Sequence, residues 1–205
     1  MPARSVFYVV ILYFKAAEIG SLILPKTIGY SAGINFDLEK IMRYHNITTD
    51  DMLNGDGLRT VLWVAGCTHQ CKGCQNPITW DINGGIPFDE AAENELFEKL
   101  APEYISGVTF SGGDPLHPEN RSEIIRLCKK FREMFSDKDI WLYTGYTFEE
   151  VERDIHEIIP LVDVIVDGEF VEEEFDSKLH WKGSANQRVI DVKKTLYSGE
   201  IVLFI

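Results

Sequence analysis

Residues 60–76 read TVLWVAGCTHQCKGCQN, a β-branched and aromatic run that breaks at Gly66 into a loop carrying three of the chain's four cysteines. The run predicts a strand over Thr60–Ala65. Past it, Cys67, Cys71 and Cys74 stand in the spacing C-x3-C-x2-C, with no fourth cysteine nearby. A structural zinc site normally closes with four protein ligands. Stopping at three therefore needs a chemical reason.

Outward from this stretch, short apolar strands alternate with amphipathic helices, the pattern of βα units around a parallel sheet. Strands are expected at Thr60–Ala65, Gly107–Ser111, Ile140–Thr144 and Val162–Val166, and helices at Asp89–Leu100, Pro118–Phe135 and Thr147–Ile158. Thr147 with Glu150 has the spacing of a capping box. The tail QRVIDVKKTLYSGEIVLFI, 187–205, reads as two strands around a Ser198-Gly199 turn. About four βα units are too few for a closed eight-fold barrel, so the expected class is α/β with an open, partial βα barrel.

In such sheets reactive groups gather on loops beyond the carboxyl ends of the strands. The cysteine loop follows the first strand, SGGDP (111–115) the second, YTGY (143–146) the third and DGEF (167–170) the fourth. Four consecutive strand ends thus carry glycine-containing polar loops, and their shared rim is the candidate site.

The 205 residues hold 20 basic and 33 acidic side chains, a net charge of −13. That balance argues against nucleic acid or an anionic membrane as a general partner. Three crowded thiols in a chain this size are not a secreted disulfide scaffold and imply a reducing, cytoplasmic setting. Thiolates hold zinc or iron–sulfur clusters, and three of them on a cubane cluster leave one iron open for a substrate. The competing reading is a zinc knuckle built from Cys71, Cys74 and His69 or a distant histidine. Cys128, inside IIRLCKKF on an expected helix, reads as a small buried hydrophobe. His69 in the cysteine loop is a candidate for a hydrogen bond that tunes a metal site. The acidic run GEFVEEEFD, 168–176, reads as a solvated loop.

The C-x3-C-x2-C loop after one strand and the GGDP loop after the next resemble the radical S-adenosylmethionine superfamily. Within it, NGDGLRTVLWVAGCTHQCKGCQNPITWD, FSGGDPLHPEN, WLYTGY, DVIVDGEF and GSANQRVIDV are similar, in order, to the activating proteins of anaerobic ribonucleoside-triphosphate reductases, over roughly Met42 to Val192. Glycine before the third cysteine, here Gly73, is typical of that family, where most of the superfamily has an aromatic. The resemblance implies a 4Fe-4S cluster on Cys67, Cys71 and Cys74, with the amino and carboxylate groups of S-adenosylmethionine on the fourth iron. It implies reductive cleavage to a 5′-deoxyadenosyl radical, which takes a hydrogen atom from a backbone glycine of the reductase. It also implies flavodoxin or a similar electron donor. Gly112, Gly113 and Asp114 would present backbone groups to the cofactor's ammonium, and Gly73, Cys74 and Gln75 would touch its adenine. Thr144, with Tyr143 and Tyr146, would line its ribose or methionine side, and Arg188 would steady a carboxylate. Activation of a formate-lyase type enzyme is the alternative within the same chemistry; Gly73, and a chain too short for an added ferredoxin-like domain, argue against it.

The first forty residues differ in character. VFYVVILYF, 6–14, is an apolar run after a lone Arg4, interrupted by Lys15 and Glu18 before the roughly 18 to 20 residues a membrane span requires. Residues 1–41 hold four basic and three acidic side chains, leaving 16 and 30, or −14, for the remainder. This stretch has no counterpart in the family pattern. The LEK before Met42 can be encoded with a ribosome-binding element. Residues 1–41 are accordingly expected to be an extension, mis-assigned to the chain or poorly structured, ahead of a 42–205 activase domain.

Overall fold

The apolar runs form strands and the amphipathic runs cover them, in a computed structural model that describes residues 41–205. The expectation for residues 1–41 falls, apart from Ile41, outside the described residues. Four parallel strands make the centre: β2 (Arg59–Val64), β4 (Gly107–Gly112), β5 (Asp139–Tyr143) and β6 (Val164–Asp167). Antiparallel strands flank them, β1 (Arg43–Asp51) beside β2 and β7 (Arg188–Asp191) beside β6, and the two-residue β3 (Ile86–Pro87) pairs with β1. The result is a seven-stranded open sheet in the order β3-β1-β2-β4-β5-β6-β7.

Side chains alternate across the sheet. Leu62, Val64, Val108, Phe110, Leu142 and Ile165 share one apolar core with α1 (Glu90–Leu100), α2 (Arg121–Met134) and α3 (Phe148–Asp154), which contribute Leu96, Ile124, Leu127, Phe131 and Val151. Cys128 is fully buried in that core, as its helical setting predicts. Trp141, Val164, Val166 and Val189 form a second cluster, with Tyr143, Trp181 and Phe204 against it. Arg59 is fully buried, donating to Thr109 Oγ1 at 2.7 Å and to the Val108 carbonyl at 2.9 Å, its guanidinium 5.3 Å from the Trp141 ring centroid. Its charge is met by Asp139, whose Oδ1 lies 2.6 Å from Nη2, and this ion pair with the two hydrogen bonds makes the burial tolerable.

Two sequence expectations change and one long strand is new. The helix expected over Thr147–Ile158 keeps its capping box, Thr147 and Glu150 bonding reciprocally, but α3 stops at Asp154 and a 3₁₀ segment, His156–Leu161, carries the chain on. β1 was not anticipated. The tail is not a hairpin: after β7, Asp191 caps α4 (Val192–Ser198) by accepting from the Lys194 amide, and Gly199 at φ 75° ends that helix. Asp191 before and a left-handed glycine after are helix punctuation, and they override the β-branched look of the segment. Only an isolated bridge, Ile190 to Leu203, returns to the sheet. No helix among the described residues is long and apolar enough to cross a membrane.

Candidate metal centre

The cysteine loop is closed at its base by backbone bonds, the Gly66 amide to the Thr79 carbonyl (2.7 Å) and the Cys67 amide to the Trp80 carbonyl (3.0 Å). The Pro77–Thr79 3₁₀ turn and Trp80, which caps its end, supply those acceptors. Within the loop, the Cys74 amide donates to the Cys71 carbonyl at 3.1 Å, and Gly73 adopts φ 72°, a left-handed turn that favours glycine. The Asn76 amide donates to Cys74 Sγ at 3.3 Å. All three thiols are unpaired and partly exposed. Burial pushes the Cys67 and Cys71 thiols up from their ordinary value. Among the described residues no three His, Cys, Asp or Glu side chains converge where one metal ion would be held.

The GGDP loop docks directly on this base. The Gly113 amide donates to the Val64 carbonyl (2.8 Å) and the Asp114 amide to the Gly66 carbonyl (2.7 Å). A Cβ on Gly113 would stand 2.4 Å from that Gly66 oxygen, and one on Gly112, at φ 105°, 2.7 Å from the Val64 nitrogen. The demand for glycine at both positions therefore arises within the protein's own backbone.

Asp114 is almost wholly buried and collects donors from three loops. It accepts from the Leu116 amide (2.8 Å), the Thr144 hydroxyl (3.0 and 3.1 Å) and the Gly145 amide (3.0 Å). His69 Nε2 makes a close ion-pair contact at 3.0 Å. The other ring nitrogen, Nδ1, is hydrogen-bonded to Glu169 Oε1 at 2.8 Å. Contact with Asp114, opposed by burial and helped by Glu169, pulls His69 up to about 9. The sequence places His69 in the loop; its partners, on the second and fourth strand ends, carry no signal in its own neighbourhood.

Two cavities flank the cysteine loop. One of about 550 Å³ is lined by His69, Tyr146, Asp167, Glu169 and Arg188. The other, about 520 Å³, is lined by Cys74, Gln75, Ser111, Tyr143 and Gln187. The candidate residues divide accordingly. Cys74, Gln75 and Tyr143 face one space, Tyr146 the other, and Thr144 is buried behind them on Asp114. Arg188 is already paired, Nη2 lying 2.5 Å from Asp167 and 2.7 Å from Glu149. Asn186 Nδ2 donates to the Glu169 carbonyl, and Gln187 Nε2 to the Gly168 carbonyl, so the GSANQR segment holds the DGEF loop in place.

A closed loop bearing three unpaired thiols, one of them against a cavity, has the donor set an iron–sulfur cluster takes. Comparison with known proteins agrees. A family model described as a 4Fe-4S single cluster domain matches residues 53–190. The anaerobic ribonucleoside-triphosphate reductase-activating protein of Vibrio cholerae is 43% identical over 148 residues, covering 71% of this chain and 96% of that protein. The proteins of the same name from Escherichia coli K12 (42% over 150 residues; 72% and 97% covered) and enterobacteria phage T4 (45% over 148; 72% and 93%) are similarly related. At 42–45% identity over 93–97% of those relatives, the chain belongs to the family of anaerobic ribonucleoside-triphosphate reductase-activating proteins.

Proposed function

We propose that this protein activates an anaerobic ribonucleoside-triphosphate reductase as a radical S-adenosylmethionine enzyme of the cytoplasm, with residues 42–205 as the activase domain. The observation that carries the reading is the closed 66–80 loop, which offers three unpaired thiols and no fourth. A single zinc ion would draw thiolates to within roughly 3.8 Å of each other, given Zn–S bonds of about 2.3 Å. A cluster instead meets each cysteine at a different iron, which suits thiols that do not converge on a point. Cys67, Cys71 and Cys74 would hold the 4Fe-4S cluster. When bound, it supplies the electron for reductive cleavage of S-adenosylmethionine, from which a glycyl radical on the reductase follows.

The chain's own residues bind and orient. The four parallel strands form, in this reading, a partial βα barrel of the radical S-adenosylmethionine type, with its working rim at their carboxyl ends. The cavity against Cys74, Gln75 and Ser111 receives S-adenosylmethionine, because it alone of the two shares a wall with a candidate ligand thiol. Gly73 precedes its lining residue Cys74, and Gly112 and Gly113 follow Ser111 in sequence; all three would present backbone groups to the cofactor. Asp114 and Thr144 act from behind, the carboxylate fixing the GGDP backbone and the Thr144 strand end against the cysteine loop. A flavodoxin-like donor provides the electron.

The test is anaerobic: reconstitute the protein with iron and sulfide, add S-adenosylmethionine, a reductant and a candidate reductase, and record electron paramagnetic resonance. The expected outcome is a brown protein and a glycyl radical signal that needs all components. A colourless protein that retains only zinc, and gives no signal, would overturn it.

A further inference from the structure

The acidic run after β6 is not simply solvated. Glu169 is bonded to His69, and Lys72, the residue between Cys71 and Gly73, lies 2.8 Å from Glu172 and 3.4 Å from Glu173. Glu172 also covers the left-handed turn itself: a Cβ on Gly73 would meet its Oε1 at 2.8 Å and its Cγ at 3.0 Å. On its far side the segment is anchored to the GSANQR stretch. The Val171 amide donates to Ser184 Oγ at 3.1 Å and the Ala185 amide to the Glu174 carbonyl at 2.9 Å. The run 169–174 therefore lies across the cysteine loop, tied by side-chain charges on one side and by hydrogen bonds from main-chain amides on the other.

We propose that this segment is a clasp that fixes the Cys71–Cys74 turn in its cluster-receiving form, with Lys72 and Glu172 as the positioning residues. It rests on the reading that these cysteines hold the cluster. The two sides of the clasp differ in strength. The Lys72 pairs are solvent-exposed, Lys72 at 78% and its partners at 46% and 72%, so they are individually weak and open to screening by salt. The bonds on the other side join neutral groups, one of them the buried Ser184 hydroxyl, and salt does not screen them. Release therefore happens at the cysteine-loop edge, hinging on 184–185, and it uncovers the turn without unfolding the sheet. The same contact gives a physical reason for glycine at 73. An aromatic there would have to displace Glu172 and take up a positive φ.

Hydrogen–deuterium exchange on the full chain without iron reads the clasp directly. Lys72→Ala should speed exchange of the 71–76 and 169–174 amides together by about twofold to fivefold, the scale of one exposed ion pair. Wild type in about 1 M salt, where the screening length falls to roughly 3 Å, should do the same. α2 amides should not change, Lys72→Arg should behave as wild type, and the exchanged pair Lys72→Glu with Glu172→Lys should recover more protection than either single change. In the iron-loaded protein, Lys72→Ala should raise the rate at which air bleaches the visible absorption by a similar factor. Unchanged exchange at 71–76 in Lys72→Ala, or no recovery in the exchanged pair, would overturn the clasp even if iron loads normally. Failure of iron loading in the wild type would strike at the cluster reading, and the exchange result would still decide the clasp.

Discussion

Thr144 and Asp114, thirty residues apart in the chain, meet where two adjacent parallel strands end, the threonine hydroxyl lying 3.0 and 3.1 Å from the two oxygens of the buried carboxylate. Because the same carboxylate touches His69 and holds the Gly145 amide, one side chain joins the cysteine, GGDP and YTGY loops. This carboxylate works beside the backbone bonds that seat the GGDP loop on the cysteine loop.

Asp114→Ala would leave the Thr144 hydroxyl and the Leu116 and Gly145 amides without their acceptor, at about 1–3 kcal/mol for each donor left buried and unsatisfied. We expect the iron-free protein to lose roughly 3 kcal/mol or more in urea unfolding and to take up iron poorly. Asp114→Asn keeps one acceptor oxygen and should fall between. Unfolding of Asp114→Ala at the wild-type midpoint would remove the carboxylate from this role.

Gly113→Ala separates two reasons for a glycine. A side chain that obstructed only a bound cofactor would leave the iron-free protein untouched. Here the added Cβ meets the Gly66 and Thr79 carbonyl oxygens at 2.4 and 2.9 Å, neither of which is the end of a flexible side chain. The prediction is a lowered melting temperature without iron, and disturbed iron loading, since Gly66 opens the cysteine loop. A variant that melts like the wild type and loses only S-adenosylmethionine affinity, measured by calorimetric titration, would refute it.

These contacts mark how far the sequence could be read. The central strands are legible because short, β-branched apolar runs such as TVLWV and DVIV, bounded by turn residues, suit a buried parallel strand better than a helix. β1, RYHNITTDD, is polar and only half-buried with an irregular register to β2, so its alternation is blurred. The three cysteines declare themselves through spacing, but the Asp114 and Lys72 contacts join residues from different strand ends. Such pairs depend on how the loops fold over one another, and no local period records them. In the tail, Ser198-Gly199 suits a hairpin as well as a helix end, and the deciding signal is Asp191 as an N-cap.

Acid should act through Asp163 among other groups. Burial alone would raise this carboxyl, but bonds from Lys193, Arg132 and the Ile140 amide outweigh it and hold it below the ordinary aspartate value. With the folded value below the unfolded one, near 3.9, its stabilisation is present above about pH 4 and is lost as the pH falls through the depressed value. Asp163→Asn should cost about 1.5–3 kcal/mol at neutral pH, the scale of hydrogen bonds to a charged group, and should lose less than the wild type between pH 5 and pH 2.5 or so. Urea midpoints across that range check it, and parallel acid limbs for the two proteins would count against the assignment.

The four cysteines should separate into two classes that fail in opposite ways. Cys67, Cys71 and Cys74 are partly exposed and unpaired, so replacing any one with alanine removes little packing. Each would nevertheless hold a different iron, with no protein thiol in reserve, and the loss of one leaves a second iron open. Each alanine variant should therefore melt within about 0.5 kcal/mol of the wild type when iron-free, as surface changes usually do, yet fail to retain a cluster after anaerobic reconstitution. Cys128 is the reverse. It is fully buried in the core against α2's neighbours, and burial pushes its thiol up to about 12, so it stays a neutral hydrophobe. Cys128→Ala leaves a small void and should lower stability by about 1 kcal/mol while keeping iron, sulfide and colour. Iron analysis beside iron-free unfolding curves resolves the two patterns, and a Cys71→Ala protein with full iron and full radical-forming activity would defeat the three-thiolate assignment.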